Sequence, residues 1–419
     1  MSAHTRPLAA YGAVTASYWA FMLTDGALRM LVLLHFHTLG FSPVQLAYLF
    51  VLYEIAGVVT NLCAGWIAAR FGLTSTLYAG LSLQIVALFA LAGLDPEWSL
   101  WASVAFVMAV QGLSGVAKDL SKMASKSAVK LLAPTEGAGL FRWVAVLTGS
   151  KNAVKGIGFF LGAAMLGTLG FVPAILGMAA ILVAVLFAVV ALMPDGLPRG
   201  LRGVKFREVW SKDTRINWLS VARLFLFGAR DVWFVVGIPV YFYAVLSDGS
   251  EAGNRAAFFA IGSFMAVWIV LYGIVQASAP MLLRAKGRDE AEMIKMARGL
   301  VALLSLIPLG LAVVVASHNG PSEALTWILV VGLLAFGFVF ALNSALHSYL
   351  ILAFSGPDRV TMDVGFYYMA NAGGRLMGTV LSGASYQFGG LAGCLSTAAV
   401  FCGLSWLAAR KVHAVRLDD

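Results

Sequence analysis

Long apolar runs separated by short polar breaks dominate the chain, and they predict membrane-spanning helices. Crossing the roughly 30 Å of hydrocarbon in a bilayer takes about 20 mostly apolar residues. Runs of that length occur at residues 9–37, 43–69, 74–94, 99–121, 139–168, 172–193, 217–246, 256–283, 296–317, 324–353, 362–387 and 390–409. A transmembrane β-barrel would instead alternate apolar and polar positions over short strands, and that alternation is absent. The pattern predicts an all-α polytopic membrane protein with 12 transmembrane helices.

Composition agrees with this interpretation. Of the 419 residues, 60% are apolar and only 12% are charged, and the mean hydropathy is +0.87. Such values lie far outside the usage of soluble globular domains. The first apolar run is too long for the apolar core of a signal peptide, and no small-residue cleavage site follows it. We therefore expect the first helix to remain in the mature protein.

The distribution of lysine and arginine predicts the orientation, because cytoplasmic loops retain positive charge. With the N-terminus inside, the outer loops contain a single basic residue, Arg255. The inner segments contain Arg6, Arg70, Lys122, Lys126, Lys130, Arg199, Arg202, Lys205, Arg207, Lys212, Arg215, Arg284, Lys286, Arg288, Arg359, Arg410, Lys411 and Arg416. Both termini are thus expected in the cytoplasm. The net charge of +9 is explained by this topology and does not indicate nucleic-acid binding.

A basic polar stretch, "PDGLPRGLRGVKFREVWSKDTRIN", divides the predicted helices into six and six. The predicted domains are a six-helix bundle at 1–193, a cytoplasmic linker at 194–216 and a second six-helix bundle at 217–419. This is the layout of secondary transporters built from parallel repeats. Internal sequence similarity supports it, because "LTDGALRM" resembles "LFGARDVW" and "GSKNAVKGIGFFLG" resembles "YMANAGGRLMGTVLSG".

Charged residues inside the predicted helices indicate a polar cavity. At 1.5 Å of rise per residue, Lys151 lies about 16 Å and Lys155 about 22 Å into the fifth helix. A charge at the centre of a spanning helix costs about 2.5 to 3.5 kcal/mol, which disfavours lipid exposure. The predicted intramembrane bases are Lys151, Lys155, Arg230, Arg29, Arg223 and Arg375, and the acids are Asp25, Glu54 and Asp231. The excess of bases favours an anion; a purely structural ion-pair network is the alternative.

The three acids have two possible roles. Asp25 is four residues from Arg29 and can pair with it on one helix face, and Asp231 can meet an arginine from the other half. Glu54 has no base near it in sequence. A buried carboxylate has a raised tendency to hold a proton, so Asp25 or Glu54 is a proton-coupling candidate. Otherwise each acid balances the charge of a buried base.

Lysines recur every fourth residue in "KDLSKMASKSAVK", at the end of the fourth predicted helix. Counting from Trp98 places Lys118 about 30 Å along that helix. Lys118 and Lys122 are therefore expected at the cytoplasmic mouth of a cavity, where they draw substrate in. Lys126 and Lys130 are expected to be ordinary cytoplasmic positive charge beside anionic lipid headgroups.

Several other classes of protein are disfavoured. There is no Walker A sequence, so no ATP-binding motif is visible and no cofactor is implied. Cys63, Cys394 and Cys402 lack metal-binding spacing, and no metal site is expected. A polytopic membrane enzyme, the second class considered, would need a nucleophile or metal cluster, and neither HExxH nor an Asp/His cluster occurs.

Two resemblances extend this interpretation. "GWIAARFGLTS" resembles the loop signature of the major facilitator superfamily at Gly65, Arg70 and Gly72, although Ala69 replaces its aspartate. "SYWAFMLTDGALRMLVLLHFHTLGFSP", "GLSGVAKDLSKMASKSAVKLL", "LTGSKNAVKGIGFF" and "RLFLFGARDVWFVVGIPV" resemble the ArsJ-type organoarsenical efflux permeases of bacteria. That resemblance implies export of 1-arseno-3-phosphoglycerate through the inner membrane, leading to arsenate resistance. Glyceraldehyde-3-phosphate dehydrogenase would supply the substrate, and the permease would work as a monomer.

The residue types fit this chemistry. A trivalent arsenical would require clustered thiolates, whereas Cys394 and Cys402 lie about 12 Å apart along a helix. A pentavalent arsenical is an oxyanion, and the planar fork of arginine and the point charge of lysine both bind oxyanions. We expect Lys151, Lys155, Arg230 and Arg375 to bind the anionic ends, with Arg29 and Arg223 assisting. A sugar-phosphate or inorganic-anion transporter and a proton-coupled multidrug exporter are alternatives, and both proton coupling and uniport fit the sequence.

Replacing Lys151 or Lys155 with glutamine tests this assignment. Each change removes one positive charge that the anion requires, so we expect arsenate resistance of bacteria expressing the variant to be lost. The amount of protein in the membrane should stay at the wild-type level. Unchanged resistance would remove that lysine from the binding site.

Overall fold

The computed structural model describes residues 5–132, 139–193, 211–284, 288–318, 320, 322–355 and 360–413. All regular structure in these residues is helical, which confirms the predicted all-α class. The helices are α1 (Thr5–Thr38), α2 (Pro43–Tyr48), α3 (Val51–Phe71), α4 (Leu73–Ala92), α5 (Leu100–Leu132), α6 (Gly139–Leu169), α7 (Phe171–Leu192), α8 (Thr214–Val232), a π-helix (Trp233–Gly237), α9 (Ile238–Leu246), α10 (Glu251–Leu282), α11 (Glu290–Ser317), α12 (Glu323–Phe354) and α13 (Val360–Ala409).

Several helices begin a few residues before the apolar run that predicted them, because capping side chains fix where a helix starts. Ser250 accepts a hydrogen bond from the backbone N–H of Gly253 at 2.9 Å, so α10 begins at Glu251 and not at 256. Asp289 accepts from Glu292 N at 2.7 Å and starts α11. An N-cap oxygen satisfies a backbone donor that has no partner inside the helix. Hydrophobicity therefore sets the membrane-embedded part, and caps set the ends.

Ten helices in the described part of the chain are long and apolar enough to cross a membrane. One of them lies within α13, whose 50 residues would extend about 75 Å at 1.5 Å per residue, more than twice the hydrocarbon thickness. Gly390 interrupts α13 with φ 57° and ψ −154°, a left-handed conformation that glycine adopts without strain. The segment from Thr214 to Leu246 is continuous but changes to a π-helix at Trp233–Gly237.

Glycines allow the same close helix crossing in the N-terminal and the C-terminal helices. In α1 and α6, a Cβ added at Gly26 would lie 3.3 Å from the Cα of Gly158. In α8 and α13, a Cβ added at Gly378 would lie 3.1 Å from the Cα of Gly228. The internal sequence similarity between α1 and α8 and between α6 and α13 thus has a structural counterpart, since each crossing brings two backbones together at two glycines.

The N-terminal and C-terminal helices meet along two lines. α6 packs against α10, and α3 with α2 packs against α13. Towards one end, the backbone N–H of Val44 donates to Gln387 Oε1 at 3.3 Å, and the rings of His37 and Tyr243 pack edge to face at 4.8 Å. Between these lines a cavity remains open, lined by the middle of α1 and α6, the second halves of α5, α8, α10 and α12 and the first part of α13.

Gly378→Ala should destabilise the protein, because the new Cβ would lie 2.7 Å from the carbonyl oxygen of Gly228. We expect a loss of about 1–3 kcal/mol, the usual cost of overpacking. Gly403→Ala is the matched control in the same helix, since its Cβ would meet nothing within 4 Å. Its better helix propensity should leave stability unchanged or raise it by up to about 1 kcal/mol. Thermal unfolding in detergent measures both, and equal midpoints would contradict the crossing described above.

Candidate functional site

A cavity of about 190 Å³ lies between the N-terminal and C-terminal helices. All eight basic residues that the sequence proposes as binding residues line it: Arg29, Lys118, Lys122, Lys151, Lys155, Arg223, Arg230 and Arg375. Five of them come from α1, α5 and α6, and three come from α8 and α13. The structure therefore brings together cations that are up to 346 positions apart in the chain. That they bind substrate remains a prediction.

Glu54 connects the two groups of helices. Its Oε1 accepts a hydrogen bond from Arg29 Nη1 at 3.1 Å and from Arg375 Nη2 at 2.6 Å. Arg29 belongs to α1 and Arg375 to α13, so one carboxylate on α3 joins the N-terminal helices to the C-terminal ones. Glu54 is fully buried. An unpaired ion in that position would be strongly destabilised by desolvation, and the two guanidiniums compensate for it.

Asp231 extends this chain of charges on the C-terminal side. Its Oδ1 lies 2.5 Å from Arg230 Nη2, and its Oδ2 lies 3.6 Å from Arg375 Nε. The guanidinium of Arg230 also lies over the rings of Phe227 and Phe340, with its Cζ 4.9 and 5.7 Å from their centroids. Aromatic faces attract cations, so the rings help to hold Arg230, which also lines the cavity.

Asp25 holds Lys155 from the N-terminal side. Lys155 Nζ donates to Asp25 Oδ2 at 2.6 Å, and the Tyr53 hydroxyl donates to Asp25 Oδ1 at 2.6 Å. Both carboxylate oxygens are therefore bonded. The glycine crossing of α1 and α6 makes this possible, because a Cβ at Gly26 would lie only 2.5 Å from the carbonyl oxygen of Lys155.

Asp119 is a cavity residue that was not predicted from the sequence. It is fully buried and lies 3.0 Å from Lys122 Nζ and 4.0 Å from Lys118 Nζ. Thr60 donates to its Oδ2 at 2.7 Å, and Asn61 donates to the same oxygen at 3.3 Å. The available signal was its position in the lysine series, one residue after Lys118 and three before Lys122. A carboxylate there compensates for two buried ammonium groups.

Arg223 is bonded differently from the other arginines. Its Nη1 donates to both the carbonyl oxygen and the Oγ of Ser344 at 3.0 Å. The same Oγ lies 3.3 Å from Gln276 Nε2 and 3.4 Å from the Tyr272 hydroxyl. The Arg223 guanidinium stacks over Phe227 at 4.0 Å. This wall of the cavity offers one guanidinium together with neutral hydrogen-bonding groups.

Asparagine residues line the cavity together with Lys151 and Lys122. Lys151 lines the cavity next to Asn152, which donates to Gln276 Oε1 of α10 at 3.3 Å. Lys122 donates to the side-chain oxygen of Asn61. The side chains of Lys126 and Lys130, and the part of the predicted linker at 194–210, lie outside the described residues.

Two expectations about pairing were wrong. Asp25 pairs with Lys155 and not with Arg29, because Arg29 bonds to Glu54 on α3. The arginine that Asp231 meets besides Arg230 is Arg375, which also lies in the C-terminal helices. The pair that joins N-terminal to C-terminal helices is Glu54 with Arg375. Sequence spacing reveals only partners on one helix, whereas these bonds form between helices.

The expected depth of Lys118 was also wrong. Lys118 is 6% exposed, and its Nζ lies 4.0 Å from the ring centroid of Tyr53, so it is buried in the wall of the cavity and not exposed at a mouth. The helix α5 has 33 residues, so it extends about 50 Å and exceeds the bilayer. Counting from one end of such a helix does not locate the bilayer along it.

The charges of the cavity bases and of the carboxylates paired with them do not balance. Eight bases and four carboxylates, Asp25, Glu54, Asp119 and Asp231, leave an excess of four positive charges when all are ionised. None of the three cysteines is among the lining residues. Within the described residues, no group of three His, Cys, Asp or Glu side chains could hold a metal ion. The arrangement suits an anion bound by several cations.

Comparison with known proteins identifies the fold. Residues 13–379 match the family model described as Major Facilitator Superfamily. A POT family transporter in complex with 5-aminolevulinic acid has a TM-score of 0.72 at 13% identity, covering 95% of this chain and 94% of that chain. A mutant of the nucleoside transporter NupG has a TM-score of 0.70 at 16% identity, with 96% and 98% covered. A bacterial homologue of the iron transporter ferroportin, in an inward-facing state, has a TM-score of 0.70 at 14% identity, with 98% and 99% covered. A search of curated proteins gave no match.

Asp119→Asn should destabilise the protein strongly. It leaves Lys118 and Lys122 without their carboxylate in a buried place, and breaking a buried ion pair costs about 3–5 kcal/mol. Glu251→Gln is the control, since its bond to Arg255 is exposed and should contribute less than about 1 kcal/mol. Thermal unfolding in detergent compares the two. If both variants unfold at the wild-type temperature, Asp119 does not compensate for the two lysines.

Proposed function

The chain belongs to the major facilitator superfamily, and on that basis we propose that it exports an anionic organoarsenical from the cytoplasm by alternating access. It is a multi-pass membrane protein with the fold of membrane transporters. The observation that supports the anion assignment is a cavity lined by eight bases, which have only four carboxylates as ion-pair partners among the described residues. Substrates near the middle of the bilayer, between two bundles, are typical of such transporters.

The proposed topology has twelve crossings with both termini in the cytoplasm. The segment from Thr214 to Leu246 forms one crossing through its π-helix, and α13 forms two, with Gly390 between them. The bundles are residues 1–193 and 217–419, joined by the basic linker. In this orientation the cavity lies nearer the cytoplasm, and the contacts of Val44 with Gln387 and of His37 with Tyr243 close the outer end. The described conformation is then open to the inside, as the first step of export requires.

The types of side chain in the cavity favour a pentavalent arsenical. Trivalent arsenic prefers thiolates, and Cys394 and Cys402 are buried in packing away from the cavity lining. Lysine and arginine bind oxyanions. The sequence resemblance to the ArsJ-type permeases indicates 1-arseno-3-phosphoglycerate, which would be made by glyceraldehyde-3-phosphate dehydrogenase and carries an arsenate, a phosphate and no exposed positive group.

The cations divide into two walls in this proposal. Lys151, Lys155, Lys118, Lys122 and Arg29 form the N-terminal wall, where ammonium groups predominate. Arg230, Arg375 and Arg223 form the C-terminal wall, where guanidiniums predominate. A substrate with an anionic group at each end can contact both walls together. Such a bridge favours closure of the cavity around the substrate, because it compensates for the like charges that face each other.

A multidrug exporter of hydrophobic cations is disfavoured, since its cavity should carry excess acid and this one carries excess base. A sugar-phosphate or inorganic-anion transporter would use the same cations. Competition experiments separate these anions, because the affinity for each depends on whether both walls are occupied.

Uptake into inside-out membrane vesicles tests the proposed function. We expect vesicles with the protein to accumulate arsenylated phosphoglycerate. 3-Phosphoglycerate, with a phosphate and a carboxylate, should compete better than arsenate alone. Uptake no greater than in vesicles without the protein would refute the function. Uptake inhibited equally by arsenate and 3-phosphoglycerate would indicate an inorganic-anion transporter.

Neutralising one cavity cation should weaken uptake. For Arg230→Gln we expect the half-saturating concentration to rise about tenfold or more, since a charge-assisted hydrogen bond contributes about 1.5–3 kcal/mol. Arg255→Gln changes an exposed arginine away from the cavity and should transport like the wild type. Equal kinetics of the two variants would show that Arg230 does not contact the substrate.

A further inference from the structure

Among the described residues, only two arginines that line the cavity donate hydrogen bonds to the Glu54 side chain. Arg29 and Arg375 both donate to its Oε1, and among the described residues its Oε2 has no hydrogen-bond partner. Its own side chain is fully buried and does not line the cavity, whereas those of Arg29 and Arg375 are 14% and 19% exposed. An anion in the cavity therefore reaches both guanidiniums and cannot reach Glu54.

Two of the other three carboxylates keep neutral hydrogen-bond partners when an anion enters, and the third lies at the cavity surface. Asp25 has the Tyr53 hydroxyl, and Asp119 has Thr60 and Asn61. Asp231 is paired with Arg230 and Arg375, which are themselves proposed to bind the anion, but its own side chain lines the cavity. Among the described carboxylates of this cluster, Glu54 is the one that is bonded only by cavity arginines and does not itself line the cavity.

The surroundings of Glu54 determine how it responds when an anion draws those arginines away. Arg29 faces it from α1, Arg375 from α13 and, farther off, Lys118 from α5, while Tyr53 is the titratable neighbour on its own helix. A buried carboxylate that loses its cationic partners is strongly destabilised as an anion, and taking up a proton removes that cost. The neutral acid needs no guanidinium.

We propose that Glu54 is a proton site coupled to the anion site: an anion that takes Arg375 and Arg29 causes Glu54 to bind one proton, and release of the anion returns the proton. This inference rests on the proposed function. In this step Glu54 takes one proton from the buffered solvent, an O–H bond forms on its carboxylate, and the conjugate base of the buffer stays in solution, so no covalent bond of the protein or the anion breaks. By linkage, the proton strengthens anion binding as much as the anion strengthens proton binding.

The coupling predicts that anion and proton move in the same direction. An anion with several negative charges that leaves with one proton still carries net negative charge outward. A membrane potential that is negative inside therefore favours this export. Exchange of the anion for an incoming proton, the other form of proton coupling, would need the two to compete for the protein, and the Glu54 geometry gives the opposite relation.

Calorimetric titration of the purified full-length protein with 3-phosphoglycerate tests the proposal. At pH 8 the phosphate group is already a dianion, because its second pKa is about 6, so the ligand brings few protons. Titrations in two buffers of different ionisation enthalpy give the protons taken up per bound anion. For the wild type we expect uptake of about one proton per bound anion, and an affinity that falls about tenfold for each unit by which the pH is raised. For Glu54→Gln we expect anion binding with little proton uptake and an affinity nearly independent of pH.

The variant Asp231→Asn tests whether Asp231 takes up the proton instead of Glu54, since both acids contact Arg375. We expect proton uptake to persist in that variant. If the wild type binds the anion without taking up a proton, the proton site is overturned and the proposed function stays intact. The same holds if proton uptake is lost in Asp231→Asn but kept in Glu54→Gln. Absence of anion binding by the wild type would overturn the proposed function and this proposal with it.

If Glu54→Gln does not fold, infrared difference spectra of the wild type and Glu54→Asp test the proton site instead. A carboxylic acid band should appear on anion addition and shift in frequency in Glu54→Asp, and its absence from the wild type would refute the proton site.

Discussion

The hydrogen bonds of Glu54 to Arg29 and Arg375 are the interaction on which the described conformation depends most. They connect α1, α3 and α13 through a single carboxylate oxygen and place one negative charge among cations that would otherwise repel. An ion in a membrane-embedded protein is tolerated only with a partner or in a polar cavity. The same bonds can be broken by any anion that binds the two guanidiniums, so the contact that stabilises the empty cavity is also the one that a substrate changes.

Backbone packing makes this arrangement of charges possible. The crossings at Gly26 with Gly158 and at Gly228 with Gly378 bring helix backbones close together. Each crossing also sets a base three residues before its second glycine, Lys155 in α6 and Arg375 in α13. Both bases then point at a carboxylate on a neighbouring helix, Asp25 for Lys155 and Glu54 for Arg375. The two bundles of the proposed transporter thus use one packing device to present cations to a shared cavity.

Much of the site was predictable from single residues. A lysine or arginine deep in an apolar helix must face a polar cavity, because lipid exposure costs too much, and all six bases predicted on this ground line one cavity together with Lys118 and Lys122. The pairings were not predictable, since Asp25 and Arg29 on one helix face found partners on α6 and α3 instead. Asp119 was not predicted, because it lies within a series of lysines whose regular spacing indicates positive charge. The depth of Lys118 was misjudged because α5 is longer than the bilayer is thick.

The sequence by itself determined the membrane-spanning helices, the excess of buried base and the superfamily, because these depend on local hydrophobicity, residue counts and motifs. Only the tertiary structure decided which acid neutralises which base, that cations from both ends of the chain meet in one cavity, and that, among the described residues, Glu54 is hydrogen-bonded through its side chain by two arginines alone. The physical reason is that a helix constrains its own residues at fixed spacing, whereas the distance between charges on different helices depends on how their backbones cross.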